Sequence, residues 1–287
     1  MRNYEDSHAT ITDSDFIENS AGEEGGGLNN RKNSNAVITN CRFIGNTAPS
    51  GGGMENHVGR ATPTGEPVII NCLFVNNVAD AGGGMRNNDP NPIVINCTFS
   101  NNTGSGMSNR GGSVPIVSNC IFWSNTGGSF TGSSVPVVTY SNVWGGFAGA
   151  GNIDVDPFFA DAAGGDYHLR SQAGRWDPNI NCWVQDSDTS QCIDAGDPNR
   201  AIASELYPHG DVVNMGTYGG TAHASSSLLN GGNIADLNFD GIVNMNDFAR
   251  IANLWPKKEL FLPEDLNRDN EINGGDLSIF IDNWLWQ

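Results

Sequence analysis

The sequence predicts an all-β right-handed parallel β-helix, a solenoid, followed by a small α-helical calcium-binding domain. Three observations carry this. One short segment recurs along the first half of the 287-residue chain, glycine is abundant at 37 residues, and the last part of the chain holds two oxygen-rich loops in register.

The recurring segment reads ITDSDFIEN at 11–19, ITNCRFIGN at 38–46, IINCLFVNN at 69–77, VINCTFSNN at 94–102 and VSNCIFWSN at 117–125. Its aligned small residues are Ser14, Cys41, Cys72, Cys97 and Cys120, spaced by 27, 31, 25 and 23 positions. A repeat of this length means a solenoid, because a propeller blade needs roughly 40–45 residues. Each unit is expected to hold one short strand of period two, with Thr39, Cys41 and Phe43, or Ile70, Cys72 and Phe74, sharing a face. The position between Cys and Phe is Asp15, Arg42, Leu73, Thr98 and Ile121. Such variety suits a side chain that points outward.

Asn then recurs at 19, 46, 77, 102 and 125. It is expected to turn the chain through left-handed backbone and to bond its copies above and below. The runs GGGL, GGGM, GGGM and GSGM at 25, 51, 82 and 104 follow as tight corners. Length differences fall in the loops after Asn56 and Asn87, where a stack of coils tolerates insertions. The thiols of Cys41, Cys72, Cys97 and Cys120 are expected to form a column of small buried hydrophobes. Cys182 and Cys192 lie outside it and are the candidate disulfide of a secreted protein.

The FxxN signatures, Phe16–Asn19 to Phe122–Asn125, together with the glycine–apolar corners, resemble the repeats of polymorphic outer-membrane and autotransporter-type β-helix proteins. They also resemble the pectin-lyase-like β-helix domains of large bacterial surface proteins. The resemblance covers residues 1–145. Met1-Arg2-Asn3 matches Met85-Arg86-Asn87, so the sequence is expected to begin inside a coil, with more coils and a signal peptide upstream.

Residues 146–222 break the repeat. Runs such as GNIDVDPFF, GDYHL, CIDAGDP and GTYGG resemble the stretches that close bacterial β-helix proteins, which implies a terminal cap. Asp154, Asp156, Asp161, Asp166, Asp194 and Asp197 precede or neighbour Gly and Pro and read as turn residues rather than catalytic ones. His168 reads as a packed or exposed histidine rather than a base, and Trp176, Pro178 and Trp183 mark an inserted loop. Residues 223–233 are small and polar and read as a linker.

Residues 234–287 change texture. DLNFDGIVNMND (236–247) places oxygen side chains at loop positions 1, 3, 5, 9 and 12: Asp236, Asn238, Asp240, Asn244 and Asp247. DLNRDNEINGGD repeats the set 29 residues on as Asp265, Asn267, Asp269, Asn273 and Asp276. Ile242 and Glu271 stand at position 7, where the carbonyl oxygen is the ligand, and Gly241 and Asn270 stand at the sharp turn. This is the spacing that a hard cation with six to eight oxygen ligands requires, and it predicts two calcium ions. Each loop leads into an apolar helical segment, FARIANLW and LSIFIDNWL.

Asp rather than Glu at position 12 departs from a regulatory EF-hand, and the pair resembles type I dockerin modules. That resemblance implies a cohesin-like partner, read by Met245, Asn246, Gly274 and Gly275 at positions 10 and 11. These are not the family's usual hydroxyl pair.

The formal net charge of −18 argues against nucleic acid and anionic membranes, and no 18-residue apolar run offers a membrane span. The expected location is extracellular or at the cell surface. On the outer face of the strands, Asp13 and Asp15 occur in one coil only, above Asn40, Asn71, Asn96 and Asn119 and above Arg42, Leu73, Thr98 and Ile121. No carboxylate pair spans adjacent coils there, so no catalytic residue is assigned. The reading is a non-catalytic β-helix scaffold or adhesin-like protein, in contact with polysaccharide or a surface glycan and docked by its calcium module. The alternative is a polysaccharide lyase or glycoside hydrolase targeted by that module.

Overall fold

The computed structural model describes residues 1–5, 7–32, 34–57, 66–229, 233–238 and 240–286. The variable loop after Asn56 and residues 230–232 of the expected linker lie outside the described residues. The chain divides into two compact units. The first is Met1–Pro157 with Ala195–Asn199 and Asn214–Gly219; the second is Phe158–Asp194, Arg200–Val213 and Gly220–Gln287.

The first unit is a parallel β-solenoid with three sheets of six strands. One sheet stacks Arg2–Tyr4, Leu28–Arg31, Met54–His57, Met85–Asn88, Met107–Arg110 and Phe130–Gly132. The second stacks Thr10–Thr12, Val37–Thr39, Val68–Ile70, Ile93–Ile95, Ile116–Ser118 and Val137–Thr139. The third stacks Asp15–Ile17, Arg42–Ile44, Leu73–Val75, Thr98–Ser100, Ile121–Trp123 and Asn142–Val143. Arg2 pairs with Asn29, and Leu28 with Met54 and so with Met85, so Met1 holds the register of the apolar residue after a glycine corner.

Each turn therefore carries three strands, not one. The recurring segment is two three-residue strands joined at Asn40, Asn71, Asn96 or Asn119, whose φ values of 49–55° are left-handed. This turn reverses the alternation. Ile38, not Thr39, is buried with Cys41 and Phe43. The period-two expectation failed because one left-handed residue inside the segment shifts every side chain before it to the other face.

The core is built from ladders of like residues. Phe16, Phe43, Phe74, Phe99 and Phe122 stack with ring centroids 4.5–4.7 Å apart and planes within 4°. Cys41, Cys72, Cys97 and Cys120 are fully buried free thiols, each of the first three backbone amides lying 3.4 Å from the next thiol. Asn46, Asn77, Asn102 and Asn125 are buried and pass side-chain hydrogen bonds of 2.8–3.0 Å along the stack. Their amides also cap the carbonyls of Phe16, Phe43, Phe74 and Phe99. The expected ladder is present, but the left-handed turn belongs to the residue before each Asn: Gly45, Asn76, Asn101 and Ser124. A second amide ladder, Asn30–Asn56–Asn87–Asn109, runs inside the first sheet at 2.8–2.9 Å. At the corner, Gly82 has φ 67° and an added Cβ would lie 2.3 Å from the Met85 carbonyl, so only glycine fits.

The second unit contains two antiparallel hairpins, Phe159–Asp161 with Asp166–Leu169 and Arg175–Asp177 with Cys182–Val184. The inserted loop is the second hairpin, with Trp176 opposite Trp183. Cys182 is exposed and Cys192 is buried, and the candidate disulfide between them is not formed. Two helices follow, α1 (Met245–Leu254) and α2 (Gly274–Asp282). The stretch 146–222 is shared: 146–157, 195–199 and 214–219 belong to the first unit and the rest to the second.

Residues 224–227 of the expected linker are buried. Ser225 Oγ donates to Leu169 O at 2.6 Å, and Ser226 Oγ meets Arg268 Nη1 at 2.8 Å. Small polar residues here pack closely and find partners instead of staying in water. No described helix is long and apolar enough to cross a membrane.

Candidate functional site

The outer face that carries Asn71, Asn96 and Asn119 is largely covered by the chain itself. Ala195–Asn199 and Asn214–Gly219 lie over it. Asn71 Nδ2 donates to Thr217 O and Gly219 O at 3.0 and 2.7 Å, and Asn96 Nδ2 donates to Asn214 O at 2.9 Å. The amide of Asp197 donates to Asn119 Oδ1, and that of Thr217 to Thr98 Oγ1. Leu73, Thr98 and Ile121 point outward as expected, yet they are buried. In the earlier coils Arg42 makes a two-point ion pair with Asp15 at 2.7 and 2.5 Å. The hydrogen bond from Arg42 holds the Asp15 carboxyl below its ordinary range.

Of the other aspartates of the breaking region, Asp161 and Asp197 act as turn acceptors, their Oδ1 atoms taking Gly164 N and Asn199 N. Asp154 and Asp194 instead tie more distant segments, accepting from Gly145 N and Gly210 N. His168 is packed, its Nδ1 2.6 Å from Asp166 Oδ1. Burial pushes the Asp166 carboxyl up, but His168 and Arg175 outweigh it and leave it lowered.

The two C-terminal loops have the same local architecture. In the first, the Asp236 carboxylate accepts the amides of Asp240 and Gly241 at 3.2 and 2.8 Å; in the second, Asp265 accepts those of Asp269 and Asn270 at 3.1 and 2.7 Å. Asn238 and Asn267 each accept the amide two residues on at 3.0 Å, and each donates to the position-5 carboxylate. Gly241 and Asn270 have φ of 81° and 67°, the left-handed turn required at position 6. Asn244 and Asn273 are the N-caps of α1 and α2, and Asp247 and Asp276 close the capping boxes.

Asp247 and Asp276 are fully buried, and their carboxylates also reach back to the loop start, to Leu237 N and Asn238 N, and to Asn267 N. Behind the loops, Leu237, Val243, Ile251, Leu266, Ile272 and Phe280 form a small core. Burial pushes Asp265 up, with the Asp276 and Asp269 charges adding to it. The donor set is oxygen throughout, and the acidic side chains repel one another, so it fits a hard divalent cation. Ile242 and Glu271 present carbonyls at position 7, taken by the Asn244 and Asn273 amides at 3.3 and 3.2 Å. Met245, Asn246 and Gly274 are exposed at the helix starts, and Gly275 is half-buried.

A family model described as disaggregatase related matches residues 74–196, and the match fits a β-helix-type fold. No curated protein and no solved structure matches the chain.

One grouping has no signal in the sequence. Glu24, Glu55 and His57 bring a carboxylate oxygen each and an imidazole nitrogen within 4.8 Å of one another, the ligand-type trio found among the described residues. Glu24 precedes a glycine corner and bridges Ser50 of the next turn; Glu55 and His57 alternate along Met54–His57. This carboxylate pair spans adjacent coils, on a sheet other than the one that sequence pattern pointed to. Burial pushes Glu55 up to about 7, against the Arg86 charge and the Ser50 hydroxyl, which lower it.

In the second unit, burial and the nearby His168 charge push half-buried His223 down to about 4 from 6.5. The unfolded chain then takes up a proton first. Stability is full above pH 6.5 and is lost as pH falls towards 4. With the discount for its exposure, the loss is about 1–2 kcal/mol. Urea unfolding followed by tryptophan fluorescence at pH 7.5 and 4.5 should show it in the wild type and not in His223→Gln. Equal pH dependence in the two proteins would refute the assignment.

Proposed function

We propose that the protein is a non-catalytic β-solenoid scaffold, at work outside the cell, that is held to a partner by a calcium-dependent C-terminal docking module. The carrying observation is the duplication itself: two oxygen-rich loops 29 residues apart repeat the same hydrogen bonds and the same capped helix start. Asp236, Asn238, Asp240, Ile242 O, Asn244 and Asp247 hold one ion. Asp265, Asn267, Asp269, Glu271 O, Asn273 and Asp276 hold the other. The partner is a cohesin-like domain that contacts Met245, Asn246, Gly274 and Gly275, and the strongly acidic chain suits an extracellular, calcium-rich setting.

Calorimetric titration of the full chain should find two calcium ions, one in Asp240→Ala or Asp269→Ala, and none in the double variant. No calcium uptake, or uptake unchanged in the double variant, would remove the reading.

A second reading, a lyase or hydrolase acting on a polysaccharide, is favoured by the word disaggregatase in the matched family's description. Release of sugar or unsaturated uronate from glycans by the wild-type chain would decide for it.

A further inference from the structure

Glu24, Glu55 and His57 belong to neighbouring turns of the solenoid, and their meeting follows from the stack. Glu24 and Ser50 form a parallel bridge, and Arg31 pairs with His57 across the first sheet. Met54 and Asn56 point into the core, so Glu55 and His57 share the opposite face. Glu55 is fully buried. Ser50 Oγ donates to its Oε2 at 2.8 Å, and Arg86 Nη1 lies 3.3 Å from its Oε1. His57 Nδ1 is 3.9 Å from Glu24 Oε1. The side chains of Glu24 and His57 are 22% and 21% exposed, which leaves a path for a small ion.

The present counter-charge is a poor fit. Arg31 Nη2 stands 3.4 Å from both Glu24 Oε2 and His57 Nδ1. Glu24 Oε2 is nonetheless buried without a hydrogen bond among the described residues. A guanidinium offers a planar fork, and here a single nitrogen, Nη2, makes both contacts at long range. An ion with donors at about 2.1 Å in tetrahedral array needs those donors about 3.4 Å apart. The imidazole and Glu24 would close by about half an ångström, a pair at the 4.8 Å limit of the trio by about 1.4 Å, and Arg31, which is partly exposed, would swing out.

We propose that Glu24, Glu55 and His57 form a binding site for a transition-metal divalent cation of the zinc class, with Arg31 as the guanidinium that the ion displaces. One imidazole and two carboxylates suit such an ion better than calcium, whose sites are built from oxygen alone. Three protein donors leave the fourth position for water or an incoming ligand. The site lies in the solenoid and stands independently of the C-terminal loops.

The test uses the full chain with Cys182→Ser, which removes the exposed thiol as a competing ligand, in excess calcium to occupy the C-terminal loops. Zinc is titrated calorimetrically. Wild-type coordination should give one event that weakens by about a hundredfold or more in His57→Ala and in Glu24→Gln, since even second-sphere changes cost 10–100-fold. Arg31→Gln should strengthen it. Circular dichroism checks the fold, and either of the two weakening variants suffices if the other fails to fold. Zinc binding that is absent in the parent, or equal in parent, His57→Ala and Glu24→Gln, overturns the proposal. Binding that appears only in Arg31→Gln also overturns it, because Arg31 is then the resident cation.

Discussion

Replacing Phe74 by alanine is expected to destabilise the solenoid by about 3–5 kcal/mol, the cost of deleting a fully buried aromatic side chain. Phe74 lies between Phe43 and Phe99, with centroids 4.6 Å away on each side and planes within 2°. Neither neighbour can move into the space, because each is fixed by its own strand's hydrogen bonds to the turns beside it. The stack is then cut in its middle. Since each turn of a solenoid is stabilised only by its neighbours, the loss should also broaden the unfolding transition. Phe16 is the control: among the described residues it stacks on one side only and is half-buried, and Phe16→Ala should cost far less. Denaturant unfolding by far-ultraviolet circular dichroism measures both. Equal costs at Phe16 and Phe74 would show that the ladder does not stabilise the fold through its interior stacks.

Asp247→Ala is expected to destabilise the C-terminal module by about 3 kcal/mol without calcium, and by more with it. The buried carboxylate accepts three backbone amides, from Leu237 at 2.8 Å, Asn238 at 3.1 Å and Asn244 at 2.9 Å. Orphaning a buried donor costs about 1–3 kcal/mol, less where water reaches it. It also removes the capping box of α1. In the proposed calcium state the variant further loses a ligand, and with it the stabilisation of about 2.7 kcal/mol that binding supplies at a hundred times Kd. Thermal unfolding of the full chain with and without calcium separates the two effects. An equal gain from calcium in variant and wild type would show that Asp247 is not a ligand.

The Phe, Cys and Asn46–Asn125 ladders and the two loops were legible for the same reason. Stacked turns repeat their inward residues, so Phe, Cys and Asn recur in sequence where they touch in space. The oxygen-rich loops repeat because every hydrogen bond in them spans at most ten residues. The division of each repeat into two strands was missed, since an asparagine such as Asn71 with φ 52° looks like any other asparagine. The covered outer face was missed as well. Nothing near Asn96 in the chain announces Asn214, 118 residues on, and nothing near Glu24 announces His57.

The sequence by itself determined that this protein is a stack of short parallel strands with a duplicated oxygen-rich module at its end. Both rest on contacts between equivalent or adjacent positions, which a repeat writes into the chain. Only the tertiary structure decided which faces stay open, that Ser225–Ser227 are packed, that Cys182 and Cys192 remain apart, and that two glutamates and a histidine converge on the first sheet. Those outcomes depend on where non-repeating segments come to rest, and the free energy of that placement is set by long-range burial and pairing that leave no period to read.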